Sequence, residues 1–157
     1  PTTALDVTTE AQILNLMRDL QEEFGMAILY ITHNLGVIAE IADEIVVMYM
    51  GKEVERSNTI EVFENPKHPY TVSLLGSIPQ IGEKKSVLET IEGMVPSPFN
   101  LPTGCVFHPR CPDYMPGKCN RIYPEYDEVV EGHWARCLLF DGCWPKTPEA
   151  QAIKGAA

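Results

Sequence analysis

The sequence predicts an α/β fold, because segments with helical periodicity and short apolar segments alternate along its first half. Residues 27–32 form an apolar, β-branched run that is typical of a buried strand in a parallel sheet. A helical pattern over residues 8–24 precedes this run, and a second helix of about residues 35–42 follows it. Residues 44–50 form the next apolar strand. The order helix, strand, helix, strand is typical of a doubly wound sheet covered by helices.

His33 follows the predicted strand 27–32 directly. In open α/β sheets, ligands bind outside the carboxyl ends of the strands, so the placement of His33 predicts a ligand contact. The alternative from the residues alone is a capped or solvated histidine that contacts no ligand.

Local signals place the ends of the helices. Asp6 or Thr8 can cap the first helix, since both side chains accept hydrogen bonds from backbone N–H groups of a first turn. Residues 59–64 form a short capped helix. His68 precedes a proline and serves the turn at the start of a further helix, which Pro79 closes.

A tight turn at residues 50–52 separates the strand 44–50 from residues 52–56. A turn of this length returns the chain alongside itself, so residues 52–56 are predicted to form an antiparallel strand. The charged side chains of Glu53 and Glu55 indicate that one face of this strand is solvated.

Composition divides the chain near residues 77–81. Ten of the thirteen prolines lie at or after Pro79, and all five cysteines lie at or after Cys105, whereas the periodic apolar segments lie before the division. We therefore expect two domains, residues 1–80 and 81–157, that do not share a core.

The net charge of −10 disfavours nucleic acid as a direct partner, because nucleic acid requires basic patches and no lysine or arginine cluster exceeds two residues. No apolar run approaches the roughly 18 residues of a membrane span, which predicts a soluble or peripheral protein. The opening stretch, residues 1–6, lacks an initiator Met and supplies no strand to pair with residues 27–32. We expect the sequence to be the C-terminal part of a longer protein.

Four cysteines form the second chemical centre: Cys105, Cys111, Cys119 and Cys137. Prolines and glycines lie between them, and a small unit without an apolar core commonly needs a metal or a disulfide for stability. An odd cysteine count without a secretory leader favours metal ligation over disulfides, with free thiols as the alternative. No Cys-x-x-Cys pair occurs, which weakens a zinc-ribbon interpretation. Cys143 follows as a fifth thiol, and His108 and His133 are possible substitute ligands.

Several stretches together resemble the ATP-binding cassette (ABC) ATPases. Residues 1–6 are similar to the D-loop, residues 31–35 to the switch-histidine loop, and residues 42–51 to the strands that follow it. Residues 68–71 and the cysteine-bearing tail resemble, more narrowly, the ATP-binding subunits of bacterial oligopeptide/dipeptide importers. The resemblance covers essentially the whole chain. It implies an α/β fold that is the C-terminal part of a P-loop nucleotide-binding domain, followed by a loop-rich cysteine extension.

The resemblance implies specific roles in ATP hydrolysis. Ala4, Leu5 and Asp6 match the D-loop, which contacts a second ATPase subunit across the bound ATP and Mg²⁺. His33 matches the histidine that touches the γ-phosphate and the attacking water, whereas Asp6 on its own reads as a helix cap. The phosphate-binding loop, the glutamine loop, the signature motif and the catalytic acid do not occur in these residues. The fragment alone is therefore expected to be inactive.

The resemblance also implies a [4Fe–4S] cluster on the four cysteines named above, with zinc as the alternative. The implied partners are a second ATP-binding subunit, transmembrane permease subunits and, indirectly, a peptide-binding protein, at the cytoplasmic face of the membrane. The solute is left open between a peptide, nickel and another small solute. The alternative function is a non-catalytic iron–sulfur or zinc interaction module on an α/β scaffold.

Overall fold

The computed structural model describes residues 6–78 and 91–140, which fall into two units that divide between Asp43 and Glu44. The first unit contains two helices, α1 (Val7–Phe24) and α2 (Leu35–Ile41). The second contains strands β1 (Glu44–Tyr49), β2 (Lys52–Asn58), β3 (Asp127–Val130) and β4 (His133–Ala135), helices α3 (Thr59–Glu64) and α4 (Pro69–Gly76), and a short 3₁₀ turn (His108–Arg110). No helix of the described residues is long and apolar enough to cross a membrane.

The two helices of the first unit begin and end where the sequence predicts. Of the two cap candidates of α1, the structure selects Asp6, whose Oδ1 accepts a hydrogen bond from the N–H of Thr9 at 2.9 Å. Gly25 ends α1 in the left-handed conformation, with φ of 60°, which glycine adopts without steric cost. Asn34 caps α2.

The predicted strand at residues 27–32 is wrong for the described structure. The run is not assigned to a strand, and the side chains of Leu29 and Ile31 are both 87% exposed. The reason is that a strand is defined by pairing, and no described residue forms a ladder with this run. The apolar, β-branched composition of residues 27–32 indicates only that the segment can adopt an extended conformation and can be buried.

The sheet also differs from the doubly wound parallel sheet that the element order predicts. The four described strands run in the order β1-β2-β4-β3, and each neighbouring pair is antiparallel. Met50 and Gly51 connect β1 to β2 with positive φ angles of 50° and 72°. Two consecutive left-handed residues form a tight hairpin, which forces the antiparallel pairing that the turn at residues 50–52 predicts.

The later helices confirm the local predictions. Helix α3 spans residues 59–64 with Asn58 as its cap, and α4 follows His68, whose side chain accepts a hydrogen bond from the N–H of Tyr70. The predicted stop at Pro79 and the predicted domain boundary at residues 80–81 lie outside the described residues.

A β-bulge changes which face of β2 is buried. The β1–β2 register shifts after Val47, so that Val47 lies opposite Glu55 while Met48 lies opposite Glu53, and Val54 is the extra residue. The alternation of side chains is interrupted, and Val54 and Glu55 are both buried. The predicted solvated face is therefore wrong at Glu55, whose exposed fraction is 0%.

One apolar core joins the two compositional halves of the chain. Tyr49 and Val54 come from the β1–β2 hairpin, and Val106 and Phe107 come from the cysteine-bearing region. The rings of Tyr49 and Phe107 meet edge to face, with 5.2 Å between their centroids. The expectation that the halves do not share a core is wrong, because Phe107 from the loop-rich half fills the space between aromatic side chains of the first half.

Phe107 provides a test of this shared core, with Phe99 as the matched control. Phe107 is 1% exposed and Phe99 is 98% exposed. Phe107→Ala should lower the free energy of unfolding by about 3–5 kcal/mol, since it removes buried area and leaves a cavity. Phe99→Ala should change it by less than about 0.5 kcal/mol. Urea denaturation followed by circular dichroism measures both, and equal effects would show that Phe107 does not anchor the core.

Candidate functional site

The candidate catalytic residue His33 lies in a constrained turn with its side chain exposed. The N–H of Asn34 donates to Thr32 Oγ1 at 3.0 Å, and Asn34 Oδ1 in turn accepts from the N–H groups of Gly36 and Val37. The residues on both sides of His33 are therefore held by hydrogen bonds, while the imidazole faces solvent. The geometry leaves the ring available to a ligand.

Asp6, the candidate interface residue, is engaged by its own helix. Its Oδ1 accepts from the N–H of Thr9 and its Oδ2 accepts from the hydroxyl of Thr9 at 2.8 Å. These bonds, the backbone one foremost, hold the pKa of the Asp6 carboxyl below its ordinary value. Ala4 and Leu5 lie outside the described residues.

The four candidate ligands Cys105, Cys111, Cys119 and Cys137 line one small cavity. They are drawn together from loops that are as much as 32 positions apart in the sequence. The N–H of Cys105 donates to the carbonyl of Cys119 at 2.8 Å, which fixes the first of these loops against the third. The structure therefore brings together all four cysteines that the sequence proposes. Cys143 lies outside the described residues.

A backbone N–H group binds one of the four sulfur atoms directly. The N–H of Met115 donates to Cys119 Sγ at 3.4 Å. For Cys105, Cys111 and Cys137, nearby backbone groups act to lower the thiol pKa. A backbone N–H that points at sulfur stabilises thiolate, and such bonds tune the sulfur ligands of metal centres.

Burial opposes the ionisation of three of these thiols. It raises the pKa of Cys105 and Cys137, and it raises the pKa of Cys111 to about 12. The neighbouring sulfurs add to this, because several thiolates in one cavity repel one another. A thiolate form of the cluster of four needs a compensating positive charge, which a metal centre supplies.

The residue types around the cavity suit a metal centre more clearly than the distances between their side chains do. Four thiols line one cavity, which is a suitable set for zinc or an iron–sulfur cluster. Yet within residues 6–78 and 91–140 no group of three or more His, Cys, Asp or Glu side chains is placed to hold a metal ion. A formed metal site is therefore not shown by the described residues, and the metal remains a proposal.

The two substitute ligands lie in different places. His108 lines the cysteine cavity, and its Nδ1 is 2.8 Å from the carbonyl oxygen of Cys105. His133 is buried beside Glu55, with 2.7 Å between its Nε2 and the carboxylate Oε1. Of the two, only His108 lines the cavity.

Sequence reasoning missed the buried carboxylate of Glu55. Its oxygens accept hydrogen bonds from the N–H groups of Lys67 at 2.6 Å and His68 at 2.9 Å, in addition to the bond from His133. Burial alone would raise the pKa of this carboxyl, but the hydrogen bonds outweigh it and hold the pKa below the ordinary value. Glu55 is therefore a buried anion. The sequence around it gave no signal of this, because charged residues on a strand usually indicate a solvated face.

His68 stands between Glu55 and the cysteine cavity. Its backbone N–H binds Glu55, its Nδ1 accepts from the N–H of Tyr70 at 3.0 Å, and its ring lines the cavity. Burial lowers the pKa of His68 to about 4, so the ring is neutral at physiological pH. With Nδ1 accepting, the proton of the neutral ring resides on Nε2.

Comparison with known families covers many of the same residues. Residues 54–119 match the family described as the oligopeptide/dipeptide transporter, C-terminal region. This match covers less than half of the chain. The family segment begins beside Glu55, runs through His68 and three of the four cysteines, and ends at Cys119. It therefore spans the division at residues 80–81 that composition indicates.

Longer relatives extend the match over most of the chain. A protein of Brucella ovis named as a peptide import ATP-binding protein is 51% identical over 144 residues, which are 88% of this chain and 42% of the relative. The oligopeptide transport ATP-binding protein AppD of Bacillus subtilis is 49% identical over 141 residues, 90% of this chain and 43% of the relative. The dipeptide transport ATP-binding protein DppD of Haemophilus influenzae is 46% identical over 129 residues, 82% of this chain and 39% of the relative. The chain thus spans about two fifths of the length of these relatives.

Within the family segment, Gly104 is a residue whose size determines how the cysteine loops meet. A Cβ at Gly104 would clash with the carbonyl oxygen of Cys119, whereas a Cβ at Gly117 would have no atom within 4 Å. Both glycines have positive φ, 71° and 80°. Both positions therefore require a left-handed backbone, but only at Gly104 does another backbone segment lie too close for a side chain.

Gly104→Ala should destabilise the protein far more than Gly117→Ala. The control change carries only the left-handed strain, about 1–2 kcal/mol, whereas the change at Gly104 also separates Cys105 from Cys119 and should cost at least about 3 kcal/mol. Denaturant unfolding of the two variants measures the difference. Equal losses would show that the contact of Gly104 with Cys119 is not needed.

Proposed function

We propose that this chain is part of the ATP-binding and ATP-hydrolysing subunit of an ABC importer for peptides. The observation that carries the proposal is the identity of 46–51% over most of the chain to proteins named as peptide, oligopeptide or dipeptide ATP-binding proteins. The alternative of a non-catalytic interaction module on an α/β scaffold has no such support. The transported solute is proposed to be an oligopeptide or dipeptide.

His33 is proposed to act on the γ-phosphate of ATP. Phosphoryl transfer depends on positioning and on stabilising the charge that spreads over the γ-phosphoryl oxygens. An imidazole N–H donates a hydrogen bond to such an oxygen. The turn between Thr32 and Asn34 supports this role, because its hydrogen bonds hold the backbone of His33 while the ring is exposed. Bound Mg²⁺ would neutralise part of the phosphate charge.

Asp6, with Ala4 and Leu5, is proposed to contact a second ATP-binding subunit across the nucleotide. The hydrogen bond from Thr9 supports this, since it fixes the Asp6 carboxylate at the start of α1 and leaves Asp6 exposed. The further partners are transmembrane permease subunits and, indirectly, a peptide-binding protein. The subunit would lie at the cytoplasmic face of the membrane as a peripheral protein.

The 157 residues alone are proposed to lack ATPase activity. They contain no G-x-x-x-x-G-K-[ST] stretch, so they supply no phosphate-binding loop to place ATP against His33. Activity is therefore a property of the longer subunit.

Substitution of His33 in the full-length subunit, assembled with its partners, tests the catalytic proposal. His33→Ala should lower the turnover of ATP at least about 100-fold, which corresponds to about 2.7 kcal/mol, because it removes a donor used in the transition state. ATP binding should change little. His33→Gln is the matched variant, since its amide N–H can partly replace the imidazole donor and should restore some activity. Phosphate release at wild-type rates from His33→Ala would make the histidine structural.

A [4Fe–4S] cluster on Cys105, Cys111, Cys119 and Cys137 is proposed as the cofactor of the C-terminal part, with zinc as the alternative. The shared cavity and the N–H of Met115, which donates to Cys119 Sγ, support it. These side chains would hold the metal centre, and the centre would cross-link the loops that carry them. Its role is to stabilise the fold rather than to transfer electrons.

Metal analysis of the full-length protein tests the cofactor proposal. Protein purified without oxygen should contain about four iron and four sulfide per chain and absorb visible light, whereas Cys137→Ser should lose both. Cys143→Ser is the matched control and should retain the cluster, because Cys143 is not assigned to it. One equivalent of zinc without sulfide would convert the site to structural zinc. Protein that is folded and metal-free would exclude both.

A further inference from the structure

We propose that Glu55 is the positioning residue of the four-cysteine site, although its carboxylate binds His133 and the backbone at residues 67–68 rather than a cysteine. It holds two walls of the cavity in place at once. The inference rests on the proposed metal site for its consequence, but its geometry does not depend on metal.

The first wall is the start of α4. One carboxylate oxygen of Glu55 accepts from the N–H of Lys67 and the other accepts from the N–H of His68. His68 and Pro69 line the cavity, and the His68 ring packs against Phe107 with 5.7 Å between centroids. The position of this wall is therefore determined by the two backbone bonds to Glu55.

The second wall carries Cys137. His133 opens β4, and Cys137 follows the strand after Arg136. The bond from His133 Nε2 to Glu55 Oε1 crosses from β4 to β2 on the buried side of the sheet. Beside it, Glu55 pairs with Ala135, and the N–H of Arg136 donates to the carbonyl of Val54 at 2.8 Å. The side chain of Glu55 thus holds β4 in place, and the backbone that follows β4 leads directly to Cys137.

A carboxylate suits this place for a geometric reason. Oε1 accepts two donors, from Lys67 and His133, and Oε2 accepts one from His68. A glutamine has one acceptor oxygen and one NH₂ group, so in either orientation it sets a donor against at least one of these donors. Glu55, His68 and His133 are buried and Lys67 is half-buried, so little solvent is available to compensate. The change from Glu to Gln therefore disturbs at least one wall while preserving the size of the side chain.

The experiment compares Glu55→Gln with Glu53→Gln in the full-length subunit. Glu53 is on the same strand, and its carboxylate accepts a hydrogen bond from the hydroxyl of Tyr126 at 2.8 Å, which a glutamine oxygen can still accept. The first readout is alkylation of Cys137 by iodoacetamide in the metal-free protein, followed by mass spectrometry. The second is iron and sulfide content after anaerobic reconstitution with iron and sulfide.

We expect Glu55→Gln to raise the alkylation rate of Cys137 at least tenfold and to lower the iron content well below that of the wild type. Glu53→Gln should match the wild type in both readouts. Glu55→Asp keeps both acceptor oxygens on a shorter side chain and should partly rescue, which a loss of packing alone would not produce. Wild-type alkylation and wild-type iron content in Glu55→Gln would overturn the proposal.

Two further comparisons separate the ways in which the result can fail. If Glu55→Gln does not fold, His133→Leu tests the proposal instead. It removes the hydrogen bond between His133 and Glu55 and leaves the bonds from Lys67 and His68 in place. His133→Leu should speed the alkylation of Cys137. His133→Gln keeps a donor for Glu55, so its alkylation rate should stay near that of the wild type. Equal alkylation rates in these two variants would overturn the proposal. If the wild type takes up neither iron nor zinc, the cofactor proposal fails, and faster alkylation of Cys137 in Glu55→Gln would still establish Glu55 as a positioning residue.

Discussion

The hydrogen bonds of the buried Glu55 carboxylate are the constraint on which the second unit depends. A buried anion without donors is strongly unfavourable, and breaking a buried charged pair typically costs about 3–5 kcal/mol. Glu55 is fully buried, and its three donors come from two segments that are distant in the sequence, the start of α4 and β4. The chain can bury this side chain only when both segments are in place. The carboxylate therefore links the β1–β2 hairpin, α4 and β4 into one cooperative arrangement.

Elements with local signals could be predicted from the sequence, because the physical cause lies within a few residues. Asp6 caps α1, and His68 opens α4. The hairpin at Met50 and Gly51 is determined by the two turn residues themselves. In each case a side chain or a turn conformation satisfies backbone groups nearby, so the sequence window contains the whole interaction.

Features that depend on distant partners could not be predicted in the same way. The bulge at Val54 reverses the side-chain alternation of β2, and the charge of Glu55 then gives the wrong indication of solvent exposure. Residues 27–32 show the converse, since an apolar run with strand composition pairs with no described residue. The residue pattern of a segment indicates which secondary structures it can adopt, whereas its pairing and burial depend on the segments that pack beside it.

The cysteine cavity lies between these two cases. The residue types indicated metal chemistry, but the spacing of the four cysteines could not show that they meet, because their approach depends on contacts outside the loops themselves. Gly104 lets two loops touch, and Phe107 anchors the first loop in the shared aromatic core. The family segment, residues 54–119, contains both of these and three of the cysteines, yet Cys137 lies beyond it. Its arrival at the cavity follows from β4, which pairs with β2 beside Glu55. A loop-rich region thus obtains its geometry from a strand and a buried carboxylate, which explains why its composition alone gave so little sign of order.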